Sequence, residues 1–201
     1  MGKIAVDVVL LPSEQIMDRV IEANRELLRQ SPDKIVLNKA NRLPHVSLAM
    51  GCVEETDVAA IGRILRDLAK SHSPGELTIA GIQIGTNASN EKTSLLLLKK
   101  TDRLQGLHEA VMRQLASYFS YDVSTEMVLS PPEAEPSTLL WIKNYPQKSS
   151  FERFSPHITL GYGQTVNVPF PSEFFASKLA LCHLGNHCTC RRILTSTEFG
   201  S

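Results

Sequence analysis

The chain has 201 residues, of which 42% are hydrophobic and 21% charged, proportions that suit a soluble globular protein and exclude a disordered one. Twenty-one basic side chains balance twenty-one acidic ones, which argues against gripping long duplexes through many phosphate contacts; a nucleotide or a strand end needs only a few local cations. Apolar runs never exceed four residues, which excludes a transmembrane helix.

The opening Met1-Gly2-Lys3-Ile4 lacks the apolar core of a signal peptide, and position 6 is Val where myristoylation asks for Ser or Thr, so a cytoplasmic location is expected. Lys3–Leu11 alternates too little for a half-exposed strand and reads as a central one. Ser13 suits an N-cap, and Ile16, Val20, Ala23 and Leu27 recur at helical spacing up to Gln30, before the break at Ser31-Pro32-Asp33. Arg42–Gly51 reads as a strand. Thr56 or Asp57 is expected to cap a second helix with Val58, Ile61, Leu65 and Leu68 inward, stopped by Ser73-Pro74-Gly75. Leu77–Ile84 and Thr93–Lys99 form an expected hairpin across Gly85–Asn90. Asp102 is expected to cap a third helix running to Phe119.

The Pro-rich stretch Ser130–Pro136 reads as a loop, Thr138–Ile142 as a strand and Asn144–Ser150 as a loop able to edge a cleft. Another strand holds Pro156–Leu160, a turn lies near Val168–Ser172, and Ser177–Leu184 and Thr189–Thr195 close the chain as strands. This order has few parallel crossovers and predicts an α+β fold with largely antiparallel sheets, in one domain over 1–201 with no independent second unit.

Two of these strands are near copies. Pro44-His45-Val46-Ser47-Leu48 and Pro156-His157-Ile158-Thr159-Leu160 each set a histidine two residues before a hydroxyl. Alternation along a strand puts His45 and Ser47 on one face and Val46 and Leu48 on the other, and likewise for the second copy. Facing one cleft, the two would supply a pair of imidazoles and a pair of hydroxyls. One imidazole can take a proton from an attacking oxygen while the other gives one to a leaving oxygen, because an unperturbed pKa of about 6.5 suits both roles. The hydroxyls can donate to phosphate oxygens.

These motifs resemble those of the 2H phosphoesterase superfamily, in the branch of 2′,5′ RNA ligases and RNA 2′,3′-cyclic phosphodiesterases, which carries two His-x-(Ser/Thr)-x motifs. Ile4–Pro12 with its following helix, and Leu179–Gly185, look like the opening and a late strand of such proteins. The resemblance implies a bilobed α+β fold with the motif strands flanking a central cleft. It also implies His45 and His157 as the catalytic pair, Ser47 and Thr159 as phosphate ligands, and no metal or other cofactor. The implied activity is hydrolysis of 2′,3′-cyclic phosphates on RNA or nucleotides, reversible as 2′,5′ ligation. The partner implied is therefore a nucleotide or RNA end; a compact near-neutral domain is expected to be a monomer, and without a long apolar run no membrane is expected as a partner. The alternative is a module that binds such nucleotides without turnover.

Around the motifs, Arg42 and Arg153 are near enough in sequence either to reach phosphate or to stand as solvated surface charges, Tyr162 suits stacking on a base, bonding a phosphate or packing on the core, and Phe154 could line the cleft. Trp141 sits in an apolar run and reads as core, and His72 and His108 read as exposed. Cys182, His183, His187, Cys188 and Cys190 invite a zinc reading, but a single residue between the last two cysteines fits no common structural zinc pattern. The cysteines are expected to be reduced.

Overall fold

A computed structural model describes residues 2–31, 34–86, 91–164 and 168–199. The expected helix break at Pro32-Asp33 and part of the hairpin turn, Asn87–Asn90, lie outside the described residues. Strand β1 (Lys3–Pro12) is buried from Ile4 onward, as its apolar run, interrupted only by Asp7, requires. It is central: β2 (Val46–Glu54) pairs along one edge and β6 (Glu173–Gly185) along the other. Strand β7 (Thr189–Glu198) pairs with β6. The second group places β4 (Lys92–Leu98) between β3 (Glu76–Thr86) and β5 (His157–Tyr162). Every pairing between these seven strands is antiparallel, and the groups join at two short seams. One seam is three residue pairs, Glu76–Thr78 against Glu173–Phe175. The other is a single pair, Val46 with Ile158.

Among the described residues, four α-helices cover the sheet. Helix α1 (Glu14–Leu28) buries Ile16, Val20, Ala23 and Leu27 at the spacing read from the sequence, and packs on β5. Ser13 stands at its N-cap without a side-chain cap bond. Helix α2 (Val58–Ser71) buries Ile61, Leu65 and Leu68 against β7 and β6. Helix α3 (Asp102–Gln114) is capped by Thr101, not Asp102: the Thr101 hydroxyl accepts from the Leu104 N–H at 3.2 Å. It stops short of the expected Phe119 because Ser120 exchanges both backbone hydrogen bonds, each 2.8 Å, with Cys52 on the edge of β2.

The expected strand at Thr138–Ile142 and the loop after it are instead one helix, α4 (Pro136–Lys148). Pro136 stands in its first turn, where its missing N–H costs nothing, and Thr138, Ile142 and Tyr145 are buried at helical spacing. Trp141 and Leu140 face outward, so Trp141 is not core.

One polar residue locks α1 to the second strand group. Asn24 is buried, donates to the carbonyls of Ile35 and Leu160 and accepts from the Leu37 N–H, each at 2.8 Å. Gly161 makes room for it: its φ is +142°, and a Cβ there would stand 2.7 Å from Asn24 Nδ2.

Candidate active site

Because β2 and β5 run antiparallel, the Val46–Ile158 pair sets His45 across from Thr159 and Ser47 across from His157. All four share the face opposite Val46 and Ile158, which are fully buried in the core. That face lines a cavity of about 600 Å³, with His45, Ser47, His157 and Thr159 all in its wall. Helix α4 contributes Trp141, Tyr145 and Lys148, and the loop after it Arg153 and Phe154.

The two imidazoles are held alike. His45 Nδ1 lies 2.7 Å from the Leu43 carbonyl and His157 Nδ1 lies 2.8 Å from the Ser155 carbonyl, each two residues upstream. A carbonyl only accepts, so each Nδ1 carries the hydrogen and each neutral ring keeps its Nε2 lone pair for chemistry. Burial lowers the His45 pKa, the Leu43 carbonyl partly opposes this, and the nearby His157 lowers it further. Burial also lowers that of His157, against a smaller pull from the Ser155 carbonyl.

The sequence reading passed over Asp7. It is fully buried on β1, with Oδ2 sharing a 2.6 Å hydrogen bond with Ser47 Oγ and lying 3.8 Å from His45 Nε2. Burial raises its pKa well above the usual carboxylate range, outweighing the opposing effects of Ser47 and the Ala49 backbone N–H. Its signal was present in the sequence as the lone acid inside an apolar strand.

Tyr162 lines the cavity, its hydroxyl 3.5 Å from His187 Nδ1, with Lys34 Nζ 5.3 Å from its ring centroid. Arg153 lines it too, donating to the Gln147 carbonyl. Phe154 also contributes, though it is buried and stacks on His108 with ring centroids 4.1 Å apart. Arg42 does not join them. It lines an adjoining hollow of about 200 Å³ with Lys34 and Arg191, which shares Ile35, Glu135, His187 and Thr189 with the larger cavity but neither His45 nor His157.

His108 is fully buried rather than exposed. Its Nδ1 donates to the Leu48 carbonyl at 2.6 Å and its Nε2 accepts from the Phe151 N–H at 2.7 Å. The Tyr145 hydroxyl also donates to the Leu48 carbonyl, so helices α3 and α4 both brace the first motif strand. His72 is half-buried beside the Ser71 hydroxyl.

The Cys/His cluster divides. Cys182 and Cys190 are disulfide-bonded with Cα atoms 5.5 Å apart, which corrects the expectation of reduced thiols. The antiparallel hairpin of β6 and β7 brings them within bridging distance, which their spacing alone did not reveal. His187 and Cys188 sit in the turn between those strands with φ of +57° and +53° and reach the cavity wall. Among the described residues no three His, Cys, Asp or Glu side chains converge as metal ligands would. No helix among them is long and apolar enough to cross a membrane.

Residues 12–181 match the 2'-5' RNA ligase superfamily. Among solved structures, TT0787 of Thermus thermophilus is similar at 14% identity, with 98% of each chain covered and a TM-score of 0.57. LigT of E. coli complexed with 3'-AMP is also 14% identical, with both chains fully covered and a TM-score of 0.57. The same protein complexed with phosphate gives a TM-score of 0.53 at 14% identity, again over the whole of both chains. These likenesses establish the fold. No curated protein matches the chain.

Proposed function

Because the chain belongs to the 2'-5' RNA ligase superfamily, we propose that it is a metal-independent phosphodiesterase acting on 2′-linked phosphates. Its substrate class is the 2′,3′-cyclic phosphate of a nucleotide or RNA end. The observation that carries this reading is the paired arrangement of His45 and His157, each with Nδ1 tied to a backbone carbonyl and Nε2 left for proton transfer. The cavity, at about 600 Å³, suits a nucleotide. The solved complexes of the E. coli relative with phosphate and 3'-AMP support the same class of ligand.

In this mechanism one Nε2 takes a proton from water as its oxygen bonds to phosphorus. The bond from phosphorus to the ribose 3′ oxygen breaks, and the second imidazole, protonated, gives its proton to that oxygen. The product is a 2′-phosphate with a free 3′-hydroxyl. Ser47, Thr159, Lys148 and Arg153 stabilise the non-bridging oxygens as charge shifts onto them. The same groups form a 2′,5′ linkage when a 5′-hydroxyl attacks phosphorus in place of water, giving up its proton to one imidazole while the 3′ oxygen leaves and takes a proton from the other.

The test incubates purified protein with a 2′,3′-cyclic nucleotide and EDTA between pH 5 and 9 and identifies the monophosphate formed. A 2′-phosphate alone is the expected product. A 3′-phosphate, or saturable binding with no turnover, overturns the reading, the second in favour of a nucleotide-binding module.

A further inference from the structure

Asp7 is the only Asp, Glu, Lys or Arg among the described residues that is buried, and it lies beside both polar members of the first motif. Alternation along β1 turns it away from Val6 and Val8, onto the face where β2 presents His45 and Ser47. Its Oδ1 has no partner of good hydrogen-bond geometry. Among the described residues no Lys or Arg pairs with it. The groups around it are His45, Ser47, Tyr145, Cys188 and the backbone N–H of Ala49. Burial keeps the Tyr145 phenol and the Cys188 thiol protonated and disfavours the imidazolium form of His45, the one group there able to carry a positive charge. An ionised carboxylate so placed would have the Ser47 hydroxyl and the Ala49 N–H to offset its burial but no cation to pair with, and burial outweighs those two.

The hydrogen bond to Ser47 then has a direction that matters. With Asp7 ionised, the serine must donate inward and turns lone pairs toward the cleft, where an anionic phosphate is repelled. With Asp7 neutral, the acid can be the donor, since the 2.6 Å separation does not say which oxygen holds the hydrogen. Thr159, in the second motif, needs no such help: its hydroxyl has no side-chain hydrogen bond to another described residue.

We propose that Asp7 is a positioning residue which, as the neutral acid, donates to Ser47 Oγ and so turns the serine's own proton toward the substrate phosphate. This rests on the phosphodiesterase reading for its catalytic consequence, but not for its protonation state. It breaks the near-symmetry of the site. The first motif carries a buried donor behind its hydroxyl and the second does not.

Asp7→Asn keeps the shape and a donor toward Ser47, whereas Asp7→Ala removes the donor. Both variants, with Ser47→Ala and His45→Ala, are measured for kcat and KM on a 2′,3′-cyclic nucleotide and for binding of inorganic phosphate. Asp7→Asn is expected to stay within about threefold of the wild type. Asp7→Ala is expected to lose about tenfold in phosphate affinity and KM, as Ser47→Ala does, the size expected for one hydrogen bond to an anion. Loss in Asp7→Asn equal to that in Asp7→Ala would show that the anion matters and overturn the proposal.

An infrared measurement at pH 7 separates this from failure of the phosphodiesterase reading. The carbonyl stretch of a protonated carboxylic acid is expected in the wild type and absent in Asp7→Asn. Its absence from the wild type overturns the proposal whether or not the protein turns any substrate over.

Discussion

Val46 pairs with Ile158, and this one antiparallel bridge joins the two motif strands at the residue between each histidine and its hydroxyl. The seam makes the two imidazoles members of one site rather than two, though their positions in the chain are far apart. If they divide the proton transfers, neither replaces the other. His45→Ala and His157→Ala are each expected to lower kcat by about 10²–10⁴-fold, the usual contribution of a positioned acid or base. The double variant is expected to lose less than the product of the two. Rapid-quench turnover of a 2′,3′-cyclic nucleotide checks this, and near-full activity in either single variant would remove that histidine from the mechanism.

The pH profile follows from burial. Both histidines have pKa values below the usual value of about 6.5, and kcat/KM reports the free protein. The protonated acid is therefore depleted early as pH rises, and kcat/KM is expected to peak below about pH 6.5. A bound phosphate anion stabilises the imidazolium and raises both values, so kcat is expected to peak at higher pH than kcat/KM. Coincident maxima, or a kcat/KM plateau reaching about pH 8, would contradict that order.

The motif strands, helix α1 and the β3–β4 hairpin were legible because local pattern and tertiary role agree there: alternation for the strands, helical spacing for α1. Thr138–Ile142 was not. A short run rich in Leu, Trp and Ile carries strand propensity, and only the buried series Thr138, Ile142 and Tyr145 discloses the helix. The histidine pair was read from a repeated spacing, but Asp7 and His108 reach the first motif from other elements through contacts that no sequence interval encodes. The same limit explains Arg42. Three residues from His45 in sequence, it lies in the adjoining hollow, whose wall holds neither His45 nor His157.

The two arginines are therefore expected to behave differently. Arg153 lines the cavity and Arg42 does not. Arg153→Ala is expected to raise KM for a 2′,3′-cyclic mononucleotide by about tenfold, the value of a charge-assisted hydrogen bond or two at a partly exposed site. Arg42→Ala is expected to change KM by less than twofold on the same substrate. Steady-state kinetics of the two variants decides it, and equal effects would mean that the substrate extends over both hollows.

Asn24 gives a prediction about stability rather than chemistry. Its side chain satisfies the backbone of Ile35, Leu37 and Leu160 at once, and Leu160 ends the second motif. Replacing it with Leu strands one N–H and two carbonyls in the core without opening a large cavity. The cost is expected to be about 2–4 kcal/mol, since each buried group left unpaired costs about 1–3 kcal/mol and the backbone relaxes in part. Asn24→Asp keeps only the accepting half of these bonds and places a carboxylate against two carbonyls, so it is expected to be at least as damaging at neutral pH. Chemical denaturation at pH 7 measures both, and a loss below about 1 kcal/mol in each would show that α1 does not hold the second motif strand in place.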